Sequence, residues 1–248
     1  MRYPLLDSIR GAVLISMILY HGVWDLTAFT ETSWDWYEET PGYLWQQSIC
    51  WSFILLSGYC WSLGRHHLKR GLTVFGAGIL VSLVTLLVMP EERILFGILT
   101  FLGSAMLILI PLDHILRKVP AWVGIAGSLL LFSLLRNIND GYLGFGAMEL
   151  FRLPEVLYQG MAATWLGFKE AEFFSTDYFS LLPWFFLFLC GYFIQKGVDK
   201  WLRERSSEPS NIMKREIPAL SLLGRHSLEI YLIHQPVLTG IVMAWNAF

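Results

Sequence analysis

An all-α, polytopic helical membrane fold follows from three observations on this chain. Hydrophobic residues make up 55% of it and charged residues only 15%, where a soluble domain carries roughly 25% charged residues. Apolar runs close to the ~20 residues that cross a bilayer recur along its whole length. Eleven Trp, ten Tyr and seventeen Phe supply the aromatic belts that sit where helices meet headgroups.

The runs fall at 9–29, 44–63, 72–89, 94–113, 120–136, 180–198 and 219–245, which predicts about seven transmembrane helices. The first run carries His21 and Asp25 and lacks a small-x-small cleavage site, so it reads as a retained helix and not a signal peptide. The stretch 142–168 is rich in Gly and aromatics, but Glu149, Arg152, Pro154 and Glu155 interrupt it. It is read as a re-entrant or interfacial segment, with an eighth span as the alternative. Basic residues gather in alternate loops: Arg65, Lys69 and Arg70, then Arg117 and Lys118, then Lys196, Lys200, Arg203, Arg205, Lys214 and Arg215. The other loops hold Glu31, Asp35, Glu38, Glu39, Glu91, Glu92, Glu170, Glu172 and Asp177. The positive-inside rule then predicts a cytoplasmic N-terminus and an extracytoplasmic C-terminus in a bacterial-type inner membrane. The one hydrophilic linker, 199–218, is too short to be a domain, so 1–248 is expected to be a single domain. Cys50, Cys60 and Cys190 lie in apolar stretches, with no spacing that suggests a disulfide framework or a metal motif.

Ionisable groups in hydrocarbon cost several kcal/mol unless paired or hydrated, so each one on a span marks a candidate site. On the first helix Asp7 and Arg10 are three apart, and His21 and Asp25 are four apart, so each pair shares a face. From Arg10 to His21 an α-helix rises roughly 16 Å in about three turns, which puts both groups on nearly one side. Asp25 is expected to hold the His21 imidazole in one tautomer and raise its basicity, as a general base requires. The alternative is an Asp–Arg clasp at the helix entrance and a histidine satisfied by a neighbouring helix.

On the last helix Ser227, Tyr231 and His234 fall at i, i+4 and i+7, with Gln235 adjacent and Pro236 removing a backbone hydrogen bond just beyond. Tyr231, His234 or Gln235 is expected to stabilise a developing oxyanion; the alternative is a buried interhelical hydrogen-bond set. The basic turn Arg65, Lys69 and Arg70 suits the phosphates of an anionic cofactor such as coenzyme A. It equally suits retention of that loop in the cytoplasm or attraction to anionic lipid. Asp177 lies just before the sixth span, as a cap or as a contact to a hydroxylated substrate. His66, His67, His114 and His226 lie near helix ends and read as solvated. Haem is not expected, because His21 falls in the outer half of its span and His234 near the middle of another. No metal is expected either.

These patches together resemble a known family. Leu6-Asp7-Ser8-Ile9-Arg10-Gly11-Ala12-Val13, with His21 ten residues after Gly11, is similar to the first helix of membrane-bound acyltransferases that acetylate sugars. Phe53 to Tyr59 resembles their second-helix pattern. The run from Leu223 to Val237 resembles their closing pattern, a Gly-x-x-Ser followed by Tyr-Leu-x-His and a proline. Ser175 to Trp184 and the spelling Arg225-His226-Ser227 look most like the catalytic domain of heparan-α-glucosaminide N-acetyltransferase. The resemblance implies that His21 is the catalytic base or a transient acetyl carrier, and that Asp7 and Arg10 are the entrance pair. It implies acetyl-CoA as co-substrate, seated near Arg10, Arg65, Lys69, Arg70 and Arg225. Its implied partners are membrane lipids and a glycan or glycolipid acceptor, with a homo-oligomer left open and no nucleic acid. The competing expectation is a small proton-coupled transporter using His21, Asp25 and His234 as a proton relay.

Overall fold

The computed structural model describes residues 3–30, 34–204 and 213–246. Glu31, Arg205 and residues 206–212 of the expected linker lie outside the described residues. In chain order the elements are α1 (Pro4–Phe29), a single turn α2 (Asp35–Glu38), α3 (Thr40–Trp61), α4 (His67–Val88), α5 (Ile98–Leu116) and α6 (Ala121–Leu134). A hairpin follows, β1 (Tyr142–Phe145) and β2 (Met148–Arg152). The remainder is α7 (Met161–Leu166), α8 (Leu181–Glu204), α9 (Pro218–Arg225) and α10 (Ser227–Asn246).

Six helices among the described residues are long and apolar enough to cross a bilayer: α1, α4, α5, the stretch Ala121–Asp140 begun by α6, α8 and α10. α3 has the length, 22 residues, but Gln46, Gln47, Ser48, Ser52 and Ser57 dilute its hydropathy. Leu72, Leu80, Leu83, Leu87 and Val88 of α4 are exposed, as expected of a helix that turns Leu and Val toward acyl chains.

The stretch 142–168 contains no spanning helix, so the alternative of an eighth span there falls. It folds as an antiparallel hairpin pairing Tyr142 with Arg152 and Phe145 with Met148, followed by the short α7. Gly146 turns the hairpin at φ +58, a left-handed conformation that glycine adopts without a Cβ penalty. The fold is therefore mostly, not purely, helical. The apolar run 219–245 is not one helix either. It breaks at His226, the C-cap of α9, and α10 begins at the next residue.

The chain divides into two compact units, Met1–Leu56 with Leu202–Phe248, and Ser57–Trp201. In the first, α9 runs antiparallel to the start of α1: Gly11 lies against the Leu220 backbone and Gly224 against the Asp7 backbone. The break at His226 then reverses the chain, and α10 runs parallel to α1. His21 meets His234, Gly22 meets Leu238 and Asp25 meets Thr239. α3 packs antiparallel on the same helix through Leu14, Met17 and Ile49, and the Trp45 indole donates to Ser16 Oγ at 2.8 Å.

In the second unit α4 and α5 pack as an antiparallel pair held close by glycine. Gly78 lies against Thr100, Gly103 against Phe75 and Gly71 against Leu107, the small-residue contact that apolar helices use when lipid supplies no hydrophobic drive. The buried faces of α5 and α8, including Phe101, Ala105, Leu109, Leu187 and Phe188, form the core of this unit.

A Cβ at Gly11 or Gly224 would run into a backbone carbonyl of the facing helix, and backbone cannot swing aside as a side chain can. Gly11→Val and Gly224→Val are each expected to lower stability by roughly 1–3 kcal/mol through overpacking. Gly76→Ala, where a Cβ meets open space, is expected to be neutral or slightly stabilising. Thermal melts of the detergent-purified variants check this.

Candidate functional site

The first polar cluster lies where α1 meets α9. Asp7 is buried, and its carboxylate accepts from Arg10 Nη1 at 3.2 Å and pairs with Arg225 Nε at 4.0 Å. Arg225 Nη2 also donates to Glu216 Oε1 at 2.7 Å. Ser8 Oγ accepts from the Ile217 N–H at 3.1 Å, a donor left over just before the first turn of α9. Arg10 and Arg225, both expected at a cofactor seat, thus converge on one buried carboxylate. With Glu216 the cluster has two charges of each sign, so it clasps the helix starts whatever else it does. Removing one partner of such a set strands a buried charge.

The second cluster lies further along α1 and α10. The rings of His21 and His234 are in edge contact, with centroids 5.0 Å apart. Tyr20 lies against His21 at 5.9 Å and Tyr231 against His234 at 5.2 Å. His234 is buried, and its Nδ1 faces the Tyr231 carbonyl. A carbonyl only accepts, so Nδ1 carries the proton and the neutral ring presents an unprotonated Nε2. That Nε2 is buried and has no hydrogen-bond partner among the described residues. Asp25 is fully buried. It accepts from Gln235 Nε2 at 2.7 Å and from the Thr239 hydroxyl at 3.4 Å.

Three expectations change here. His21 and His234 are not at different depths, because α10 runs parallel to α1 and brings the rings together. Asp25 does not hydrogen-bond the His21 ring among the described residues; two donors one turn apart on α10 take its carboxylate instead. Gln235 and His234 also do not offer donors to an oxyanion, since the Gln235 amide nitrogen is spent on Asp25 and the His234 Nδ1–H on a carbonyl. Thr239 was missed in the sequence, although its i, i+4 spacing from Gln235 was there to be read.

The other expected residues fall on these elements. Ser227 begins α10 and is half-buried. Arg65 and Lys69 are exposed and Arg70 half-buried in the second unit, at the turn into α4. His67 is not solvated: its ring stacks on Trp61 with centroids 3.9 Å apart. Asp177 does not cap α8. Its Oδ2 accepts from the Ile98 N–H at 3.0 Å and so caps α5 from 79 residues away. Ser175 Oγ accepts from the Leu95 N–H, and the Thr176 N–H donates to the Arg93 carbonyl. These bonds stitch 175–179 onto 93–98, where Phe96 takes a left-handed φ of +55. Lys196 donates to the Leu116, Arg117 and Val119 carbonyls, capping the other end of α5.

Six apolar helices long enough to cross a bilayer, two of which set imidazole against imidazole and carboxylate against amide, are those of a helical membrane protein. Residues 2–236 match the catalytic domain of heparan-α-glucosaminide N-acetyltransferase, and the chain belongs to that family. Membership implies an acetyltransferase. No curated protein and no solved structure matches the chain.

Burial pushes the Asp177 carboxyl up to about 6, against the opposing pull of its Ile98 hydrogen bond. The folded protein thus holds this proton more tightly than the unfolded chain. The junction is most stable below the ordinary carboxylate value, loses stability as pH rises toward about 6, and is flat above it. Asp177→Asn keeps an acceptor for Ile98 without the charge. It is expected to raise the thermal midpoint at pH 7 and to flatten its fall between about pH 4 and 6; melts at several pH values read both.

Proposed function

We propose that this protein transfers an acetyl group from cytoplasmic acetyl-CoA to an amine or hydroxyl of an extracytoplasmic glycan, with His21 and His234 at the reacting centre. The observation that carries the reading is the contact between these two imidazoles inside the membrane span of a chain of this family. In the reaction an imidazole takes the proton of the acceptor N–H or O–H as its heavy atom attacks the acetyl carbonyl carbon. The new C–N or C–O bond forms, the C–S bond breaks, and the coenzyme leaves as a thiolate that regains a proton. A neutral imidazole offers the lone pair that this proton transfer needs. The Tyr231 hydroxyl, beside His234, is the donor proposed for the developing oxyanion. Asp25 acts through Gln235 and Thr239. Arg65, Lys69 and Arg70 supply positive charge for the phosphates of the coenzyme. Ser227, Asp7 and Arg10 support the site through the helix starts.

We infer seven crossings in a single domain, with α3 as the seventh span. The support is directional. Helices that cross in turn alternate in direction, and α10 runs parallel to α1, so the count from one to the other is odd. Six apolar helices with α3 make seven. The charge pattern then puts the N-terminus in the cytoplasm.

Purified protein incubated with radiolabelled acetyl-CoA is expected to hydrolyse it, to become labelled, or to pass the label to an added amino sugar. His21→Ala is expected to lower that activity by two or more orders of magnitude. Wild-type protein that neither binds nor consumes acetyl-CoA removes the reading. Single cysteines added at each terminus are expected to label from opposite sides of intact spheroplasts; labelling from one side removes the seventh span.

A further inference from the structure

We propose that His234 Nε2 and Gln235 Oε1 form a receptor for a hydrogen-bond donor on the ligand, and that Asp25 and Thr239 are positioning residues that aim it. Both atoms are buried, and neither has a partner among the described residues. Both are acceptors, and for the same reason: the donor half of each side chain is already engaged.

The imidazole gives its Nδ1–H to the Tyr231 carbonyl, which leaves a bare lone pair on Nε2. The amide gives its nitrogen to the Asp25 carboxylate at 2.7 Å, with Thr239 Oγ1 at 3.5 Å. An amide offering its oxygen to that carboxylate would set two acceptors against each other, so Asp25 forbids the flipped amide. Gln235 Oε1 is thereby fixed away from Asp25. Thr239 lies one turn beyond Gln235 and donates to the same carboxylate, holding Asp25 in place.

A buried acceptor without a donor is costly, so each lone pair favours a ligand bearing N–H or O–H. They reject one that presents only oxygen acceptors. The inference rests on the acetyl-transfer reading only in taking that donor to be the acetyl acceptor. Binding itself needs no acetyl-CoA.

The test is calorimetric titration of glucosamine into the full-length protein in detergent, without acetyl-CoA. Gln235→Leu and Thr239→Val are each expected to weaken binding about three- to tenfold, the worth of one neutral hydrogen bond. Thr239→Ser, which restores the hydroxyl, is expected to recover the wild-type affinity. In turnover, Thr239→Val is expected to raise KM for glucosamine and leave KM for acetyl-CoA unmoved, which a general loss of packing would not do. Unchanged glucosamine affinity in both Gln235→Leu and Thr239→Val, with acetyl transfer intact in the wild type, overturns the receptor and leaves the acetyltransferase standing. Weakened glucosamine binding in both variants, alongside a wild type that binds glucosamine but transfers no acetyl group, supports the receptor and removes the acetyltransferase. Absence of glucosamine binding in the wild type overturns the receptor.

Discussion

In hydrocarbon a polar group must find its partner within the protein, since no water is there to satisfy it. That constraint organises the first unit. α1 carries Asp7, Arg10, His21 and Asp25 along an otherwise apolar helix. Arg10 answers Asp7 from within α1, Arg225 of α9 joins that carboxylate, and α10 meets His21 and Asp25. The break at His226 makes this possible, because it lets one stretch of chain run antiparallel to the start of α1 and then parallel to its end.

Close backbone approach is the means. Gly11 and Gly224 lie where α1 and α9 touch, each against a carbonyl of the facing helix. Each sits next to an arginine of the Asp7 cluster, Arg10 and Arg225. The same glycines that let the helices meet therefore bring the guanidiniums within reach of one carboxylate. Lipid-embedded helices gain little from burying apolar side chains against each other, so tight small-residue contacts and internal hydrogen bonds hold them together. α4 and α5 repeat the device with Gly71, Gly78 and Gly103.

The second polar cluster is satisfied by unequal means. Asp25 has two donors, whereas His234 Nε2 and Gln235 Oε1 have none among the described residues. An unanswered acceptor in a low-dielectric site is costly, and such groups concentrate where a ligand completes the set. Asp177 contrasts with them. It too is a carboxylate, read from sequence as a cap or a contact to a hydroxylated substrate, and its Oδ2 is taken by a backbone N–H of α5.

Much of this was legible in the residues. The low charge and recurring apolar runs gave the helical membrane class, and His21 and His234 were singled out because an imidazole on a span is expensive. The four patches pointed to the family that residues 2–236 match. Local spacing determines which groups share one helix face, and here it stopped. It paired His21 with Asp25, since residues four apart on a helix are neighbours, and it read 219–245 as one span, since hydropathy is blind to a reversal at a single residue. Partnership between helices depends on direction and depth, which a pattern within one helix does not encode. The sequence alone thus determined the solvent this chain folds in, the family it belongs to and which ionisable groups its helices bury. Only the tertiary structure decided which of them meet, because the parallel run of α1 and α10, fixed by packing, sets His21 against His234 and gives Asp25 to Gln235 and Thr239.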